Sequence, residues 1–143
     1  MDIAILTTLA GIVEYAVPVL FASIGENITE KAGLTNPSVN GTIILASMGG
    51  FVVALNTNSI LLGFIMGALI GAAVAAIVAF SSITLKQSQV AIGFILALLC
   101  RDLGYFLGAP YTNKPGIFLS KVPIPGLSEI PIIGPIFFNH SIV

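Results

Sequence analysis

The chain holds little with which to do covalent chemistry. Cys100 is its single cysteine and His140 its single histidine, so no internal disulfide can close and no His/Cys set with metal-ligand spacing exists. No nucleophile and base stand paired, and no glycine-rich phosphate loop is present. No catalytic residue, metal or cofactor is therefore expected. Charge is scarce as well: five Lys and Arg against six Asp and Glu leave a net charge of −1, with no run of like sign. That excludes a nucleic-acid footprint and a polybasic patch for anionic lipid. It also excludes an ordinary soluble surface, about a quarter or more of which is charged, whereas only 8% of these 143 residues are.

What is present is apolar. Hydrophobic residues make up 57% of the chain and the mean hydropathy is +1.09, more apolar surface than a domain of this length can hide from water. The solvent for most of it must be the lipid bilayer. The expected fold is all-α, a polytopic transmembrane helix bundle with about four membrane segments. A span needs about 20 residues of helix, and four stretches qualify or nearly do. Residues 3–24 are long enough but contain Pro18, which predicts a kink, and Glu14, a carboxyl that is costly in lipid. Residues 43–55 are too short to cross unless polar flanks enter the protein interior. Residues 60–80 carry no charge and are the clearest span. Residues 89–107 are apolar through Leu99 and then meet Arg101 and Asp102. Arg101 is expected near the membrane end, free to snorkel or to pair with Asp102 or another chain's carboxylate.

The N-terminus lacks the basic region of a cleavable signal peptide and carries Asp2 instead. From Gly108 the texture changes. Six of the eight prolines follow, interspersed with glycine, so residues 108–143 are expected to form a Pro/Gly-rich extramembrane loop lying across helix ends or at the interface. Its last residues, from Pro135, read as the start of a further, truncated span.

Within the third segment Gly63, Gly67 and Gly71 recur every four residues and so share one helix face. Lipid provides no hydrophobic drive between helices, and small residues let backbones approach. These glycines are expected to pack a neighbouring helix. If all four segments cross, Lys31 and Lys86 fall on one side and Lys114 and Lys121 on the other, which leaves orientation undecided by charge.

The polar stretch Gly25 to Gly41 is rich in helix breakers and hydrogen-bonding side chains. It can be an ordinary surface loop. It can also be irregular backbone lining a cavity, the form in which such backbone survives at membrane depth and in which transporters hold substrates.

The run "LFASIGENITEKAGLTNPSVNGTIILASMGGF" resembles bacterial ABC importer permeases of the branched-chain amino acid and simple-sugar type, most closely those for nucleosides and simple sugars. That family shows Gly-Glu-x-x-x-Glu-Arg/Lys-x-Gly-x-x-Asn-x-Gly-x-Glu-Gly, matched here by Glu30, Lys31, Gly33, Asn36 and Gly41. "SQVAIGFILALLCRDLGYFLG" is similar to the helix after a short basic loop, and "VPIPGLSEIPIIGPIFFNHSIV" to a Pro-rich external segment. Ser38 and Asn40 stand where the family has Gly and Glu, so any role resting on that carboxylate is lost, though Asn40 can still hydrogen-bond a sugar or base. The resemblance implies the N-terminal half of an inner-membrane permease subunit, without the later cytoplasmic coupling segment. It implies a second permease subunit, ABC ATPase subunits that carry all the ATP hydrolysis, and an extracytoplasmic substrate-binding protein. It places Lys31 and Lys86 in the cytoplasm. Polar groups in or beside the spans mark the expected substrate path: Glu14, Asn36, Ser38 and Asn40. The competing expectation is a small membrane protein or permease remnant that assembles through the Gly63, Gly67 and Gly71 face and transports nothing.

Overall fold

The computed structural model describes residues 3–117. Four helices follow one another: α1, Ile3–Lys31; α2, Val39–Thr57; α3, Ile60–Ile83; and α4, Gln89–Gly108, which leads into a single 3-10 turn at Ala109–Tyr111. Among the described residues there is no strand, and all four helices are long and apolar enough to cross a membrane. The greater part of the expected Pro-rich loop, with Lys121, His140 and the start of a further span, lies outside the described residues. Residues up to Gly25 belong to one compact unit and Glu26–Ile117 to another.

Helix α1 continues through Pro18 and past the residue at which an apolar reading would end it. Gly25 is the sole strong breaker between Ile24 and Lys31, and one glycine costs a helix only about 1 kcal/mol. Thr29 satisfies its hydroxyl locally by donating to the Glu26 carbonyl at 2.8 Å, and Lys31 complements the negative end of the helix dipole. The helix stops at Gly33, whose φ of +80° is open to glycine at no steric cost. Its N–H donates to the Glu30 carbonyl and that of Leu34 to the Thr29 carbonyl, both at 2.9 Å, which together form a Schellman closure.

Helix α2 is longer than its apolar run. It takes Val39 to Thr42 at one end and Asn56 and Thr57 at the other, reaching about 28 Å at ~1.5 Å per residue, close to the hydrocarbon thickness. The polar flanks are thus inside the helix, and of the polar stretch only residues 32–38 are non-helical. Asn58, left-handed at φ 54°, ends α2. Ser59 starts α3, its Oγ accepting from the Leu62 N–H at 3.4 Å. Ser88 caps α4 in the same way, accepting from the Ala91 N–H at 3.4 Å.

Close approaches at glycine order the three helices of the second unit. A Cβ on Gly50 would lie 2.8 Å from the Gly63 carbonyl oxygen, and one on Gly63 would lie 2.7 Å from that of Gly50. Gly67 stands opposite Ala46, so α3 runs antiparallel to α2. Against α4 the register rises in step: Pro37 meets Gly93, Gly41 meets Ala97, Ile44 and Leu45 meet Gly104, and Met48 meets Gly108. Helices α2 and α4 are therefore parallel, and Lys31 at the end of α1 and Lys86 in the α3–α4 loop sit at one end of this unit. A small core of Val74, Val78, Leu96 and Cys100, with Leu45 and Ile92 against it, fills the space between. Outside that core large apolar side chains are exposed along every helix, among them Leu61, Leu69, Phe80, Phe94 and Phe106. This suits hydrocarbon and no aqueous surface.

Candidate functional site

The polar turn before α2 is locked from within and from across the unit. Asn36 Oδ1 accepts from the Ser38 backbone N–H at 3.1 Å and from Ser38 Oγ at 2.6 Å, an Asx turn that aims the chain into the helix. Thr42 Oγ1 returns a bond to the Ser38 carbonyl at 2.9 Å. Ser38 is fully buried, at 0% exposure. The turn is also tied to α4, where the Thr35 N–H donates to Gln89 Oε1 at 3.1 Å. Pro37 packs over Gly93 so closely that a Cβ there would overlap the proline ring.

The residues expected on a substrate path therefore divide. Asn36 and Ser38 are brought together by one acceptor atom. Asn36 is partly exposed, and these bonds use its Oδ1 and not its Nδ2 donors. Ser38 has no surface to offer a solute and acts by holding Asn36. Asn40 lies on the first turn of α2 with its side chain exposed. Glu14 lies on α1 with its side chain exposed, in the other unit. Of the α3 glycines, Gly63 touches the Gly50 backbone and Gly67 the Ala46 carbonyl, while a Cβ on Gly71 would meet nothing within 4 Å.

Two features escape a sequence reading. Gln89 is recognisable only across 54 positions, by its bond to Thr35. Gly93, Gly104 and Gly108 line α4 as Gly63 and Gly67 line α3, with Ala97 completing the spacing, a pattern of small residues visible once the facing helix is known. Arg101 takes the first of the two partners expected for it. It bonds Asp102, Nε to Oδ1 at 2.9 Å, deep in the Gln89–Tyr111 apolar segment.

The chain matches the family described as branched-chain amino acid transport system, permease component, over residues 8–131. Among curated proteins it is 38% identical over 133 residues to the "Putative glucose ABC transporter permease protein TsgC13" of Haloferax volcanii, covering 90% of this chain and 40% of that one. It is 29% identical over 142 residues to the nucleoside ABC transporter permease protein NupC of Lactococcus lactis subsp. cremoris, covering 92% and 45%. To the guanosine ABC transporter permease protein NupQ of Bacillus subtilis it is 26% identical over 136 residues, covering 87% and 43%. The chain thus spans less than half the length of these relatives. No solved structure matches. A family match across most of the chain, and four helices fit to cross a membrane, make this a multi-pass cell-membrane protein that belongs to the branched-chain amino acid transport system permease family.

Proposed function

We propose that the chain is the N-terminal part of the membrane subunit of an ABC importer for a nucleoside or simple sugar. The observation that carries this reading is its match, along nearly its whole length, to permeases named for glucose, nucleosides and guanosine. Import would take a second permease subunit, ABC ATPase subunits that hydrolyse the ATP, and an extracytoplasmic binding protein that presents the solute. The chain itself contributes helices and no catalysis.

Glu14, Asn36 and Asn40 are proposed to face the path, with Ser38 positioning Asn36, and Gly63 and Gly67, but not Gly71, to serve packing against α2. The Asn36–Ser38 turn supports this: the buried Ser38 holds Oδ1 of the half-buried Asn36 amide and does not use its Nδ2. The test is uptake of labelled guanosine and glucose by cells that express this chain with the remainder of the permease and its partners. Asn36→Leu with Asn40→Leu is expected to abolish uptake while the protein still inserts in the membrane. Asn36→Asp, which keeps the acceptor and removes the donors, is expected to insert normally and lose uptake. Wild-type uptake in the double variant would sink the assignment. The competing reading, assembly without transport through the α3 glycine face, is weakened because Gly63 and Gly67 are already covered by α2.

A further inference from the structure

Arg101 and Asp102 are the only charged residues between Gln89 and Tyr111, and at ~1.5 Å per residue they lie about 13 Å or more from either end of that segment. Their side chains are nevertheless 46% and 67% exposed. The faces of α4 that meet other helices are taken by Gly93, Ala97 and Gly104 toward α2 and by Leu96 and Cys100 in the core. The pair lies off both. With Phe94, Leu98 and Tyr105 it follows a stripe of positions i, i+4, i+7, i+8 and i+11, a single broad helix face, and all five side chains are exposed.

An ion pair at such depth is costly against lipid. Charged groups within a span face water or protein because hydrocarbon solvates neither partner. Neighbouring residues on a helix do not face each other squarely, and the contact is correspondingly a single Nε–Oδ1 bond. That bond uses neither the terminal guanidinium nitrogens nor Asp102 Oδ2, so strong donors and an acceptor are left over on a face that also carries two exposed aromatic rings. The pair adds no net charge. A ligand held there would be uncharged, would carry hydroxyl or ring N–H donors and acceptors together, and would have a flat or apolar face to lie on Phe94 and Tyr105.

We propose that the Phe94, Leu98, Arg101, Asp102 and Tyr105 face of α4 lines a water-filled cavity and forms a binding subsite for an uncharged, hydroxylated ring solute. Asp102 accepts from its hydroxyl or N–H groups, Arg101 donates to its oxygens or ring nitrogens, and the aromatic rings stack on it. This deepens the importer reading and rests on it for the class of solute, while the claim of water access does not.

The test uses single cysteines in a Cys100→Ala background, in membranes carrying this chain with the remainder of the permease. Asp102→Cys and Tyr105→Cys are exposed to a membrane-impermeant, charged thiosulfonate, with Leu69→Cys on the charge-free α3 as the lipid-facing control. Tyr105→Cys leaves the ion pair intact and so reports even where Asp102→Cys fails to insert. Labelling at Tyr105→Cys well above that at Leu69→Cys, slowed by guanosine or glucose, is the expected result. Protection is expected to need about tenfold more solute once Arg101→Gln and Asp102→Asn remove charge-assisted hydrogen bonds. Labelling at Tyr105→Cys no faster than at Leu69→Cys overturns the cavity. Labelling that neither solute slows overturns the subsite, whatever the separate uptake assay says of import.

Discussion

Gly41 and Gly71 sit in neighbouring helices of the same unit, yet a methyl group would have opposite effects at the two. At Gly41 the added carbon overlaps the Ala97 carbonyl, backbone against backbone, with no flexible side chain able to yield. Helices α2 and α4 would have to separate, at an overpacking cost of about 1–3 kcal/mol. At Gly71 the space is open, and replacing a mid-helix glycine gains about 1 kcal/mol of helix propensity. Gly41→Ala is therefore expected to lower the thermal midpoint of the detergent-solubilised protein, and Gly71→Ala to hold or raise it. Equal effects in both would mean that the α2–α4 contact is looser than described. The sequence showed the α3 glycines by their spacing and could not rank them, because their difference lies in what stands opposite. Asn36 and Ser38 were legible as polar residues beside a span. That one oxygen of Asn36 serves Ser38 twice depends on backbone geometry that residue type does not state.

At the scale of the helices, α3 was the most legible because a charge-free apolar run needs no partner to declare itself. Its observed end at Ile83 lies only a little past the apolar limit. The ends of α1 and α2 were hidden for a different reason. Gly25 to Lys31 and Val39 to Thr42 are polar, and composition reads them as loop. They are helical because closures satisfy their ends: the Gly33 Schellman turn on one side and the Ser38 turn, braced by Gln89 and Gly93 of α4, on the other. The α2 boundary is set by contacts between segments far apart in sequence. The parallel register of α2 and α4 gives a direct check. Cysteines at Met48 and Gly108, in a Cys100→Ser background, are expected to be joined by a short bifunctional thiol reagent, while cysteines at Met48 and Gly93 are not, as read by mass spectrometry of linked peptides. Linkage of the second pair alone would mean that the helices run in opposite directions.

For the molecule as a whole, the governing fact is how little of the second unit is enclosed. Its core is a handful of side chains, and most large apolar residues of its helices are exposed. In water such a unit would aggregate; in a bilayer the same surface is solvated. Extraction at alkaline pH is expected to leave the chain in the membrane pellet, and detergent to release it. The chain covers 40–45% of the length of the relatives it matches, and on the proposed reading docking of an ABC ATPase is expected only when the rest of the permease is supplied. Affinity purification of the tagged chain, with and without a co-expressed remainder, reads this directly, and ATPase retained by the chain alone would contradict it. Composition made the membrane setting plain; which helix faces stay uncovered became visible only from the packing of the helices.

Asn58 and Ser59 alone join α2 to α3, and this short link bears on how the protein is made. Two residues reach about 7 Å at full stretch, a fraction of the ~30 Å hydrocarbon layer. During synthesis the charge-free α3 partitions readily into lipid, and α2, with Asn40, Thr42, Asn56 and Thr57 at its ends, has the weaker preference. A link that short cannot leave α2 outside once α3 has entered. The two must go in as one hairpin, so the helix least able to insert by itself is carried into the bilayer by its neighbour.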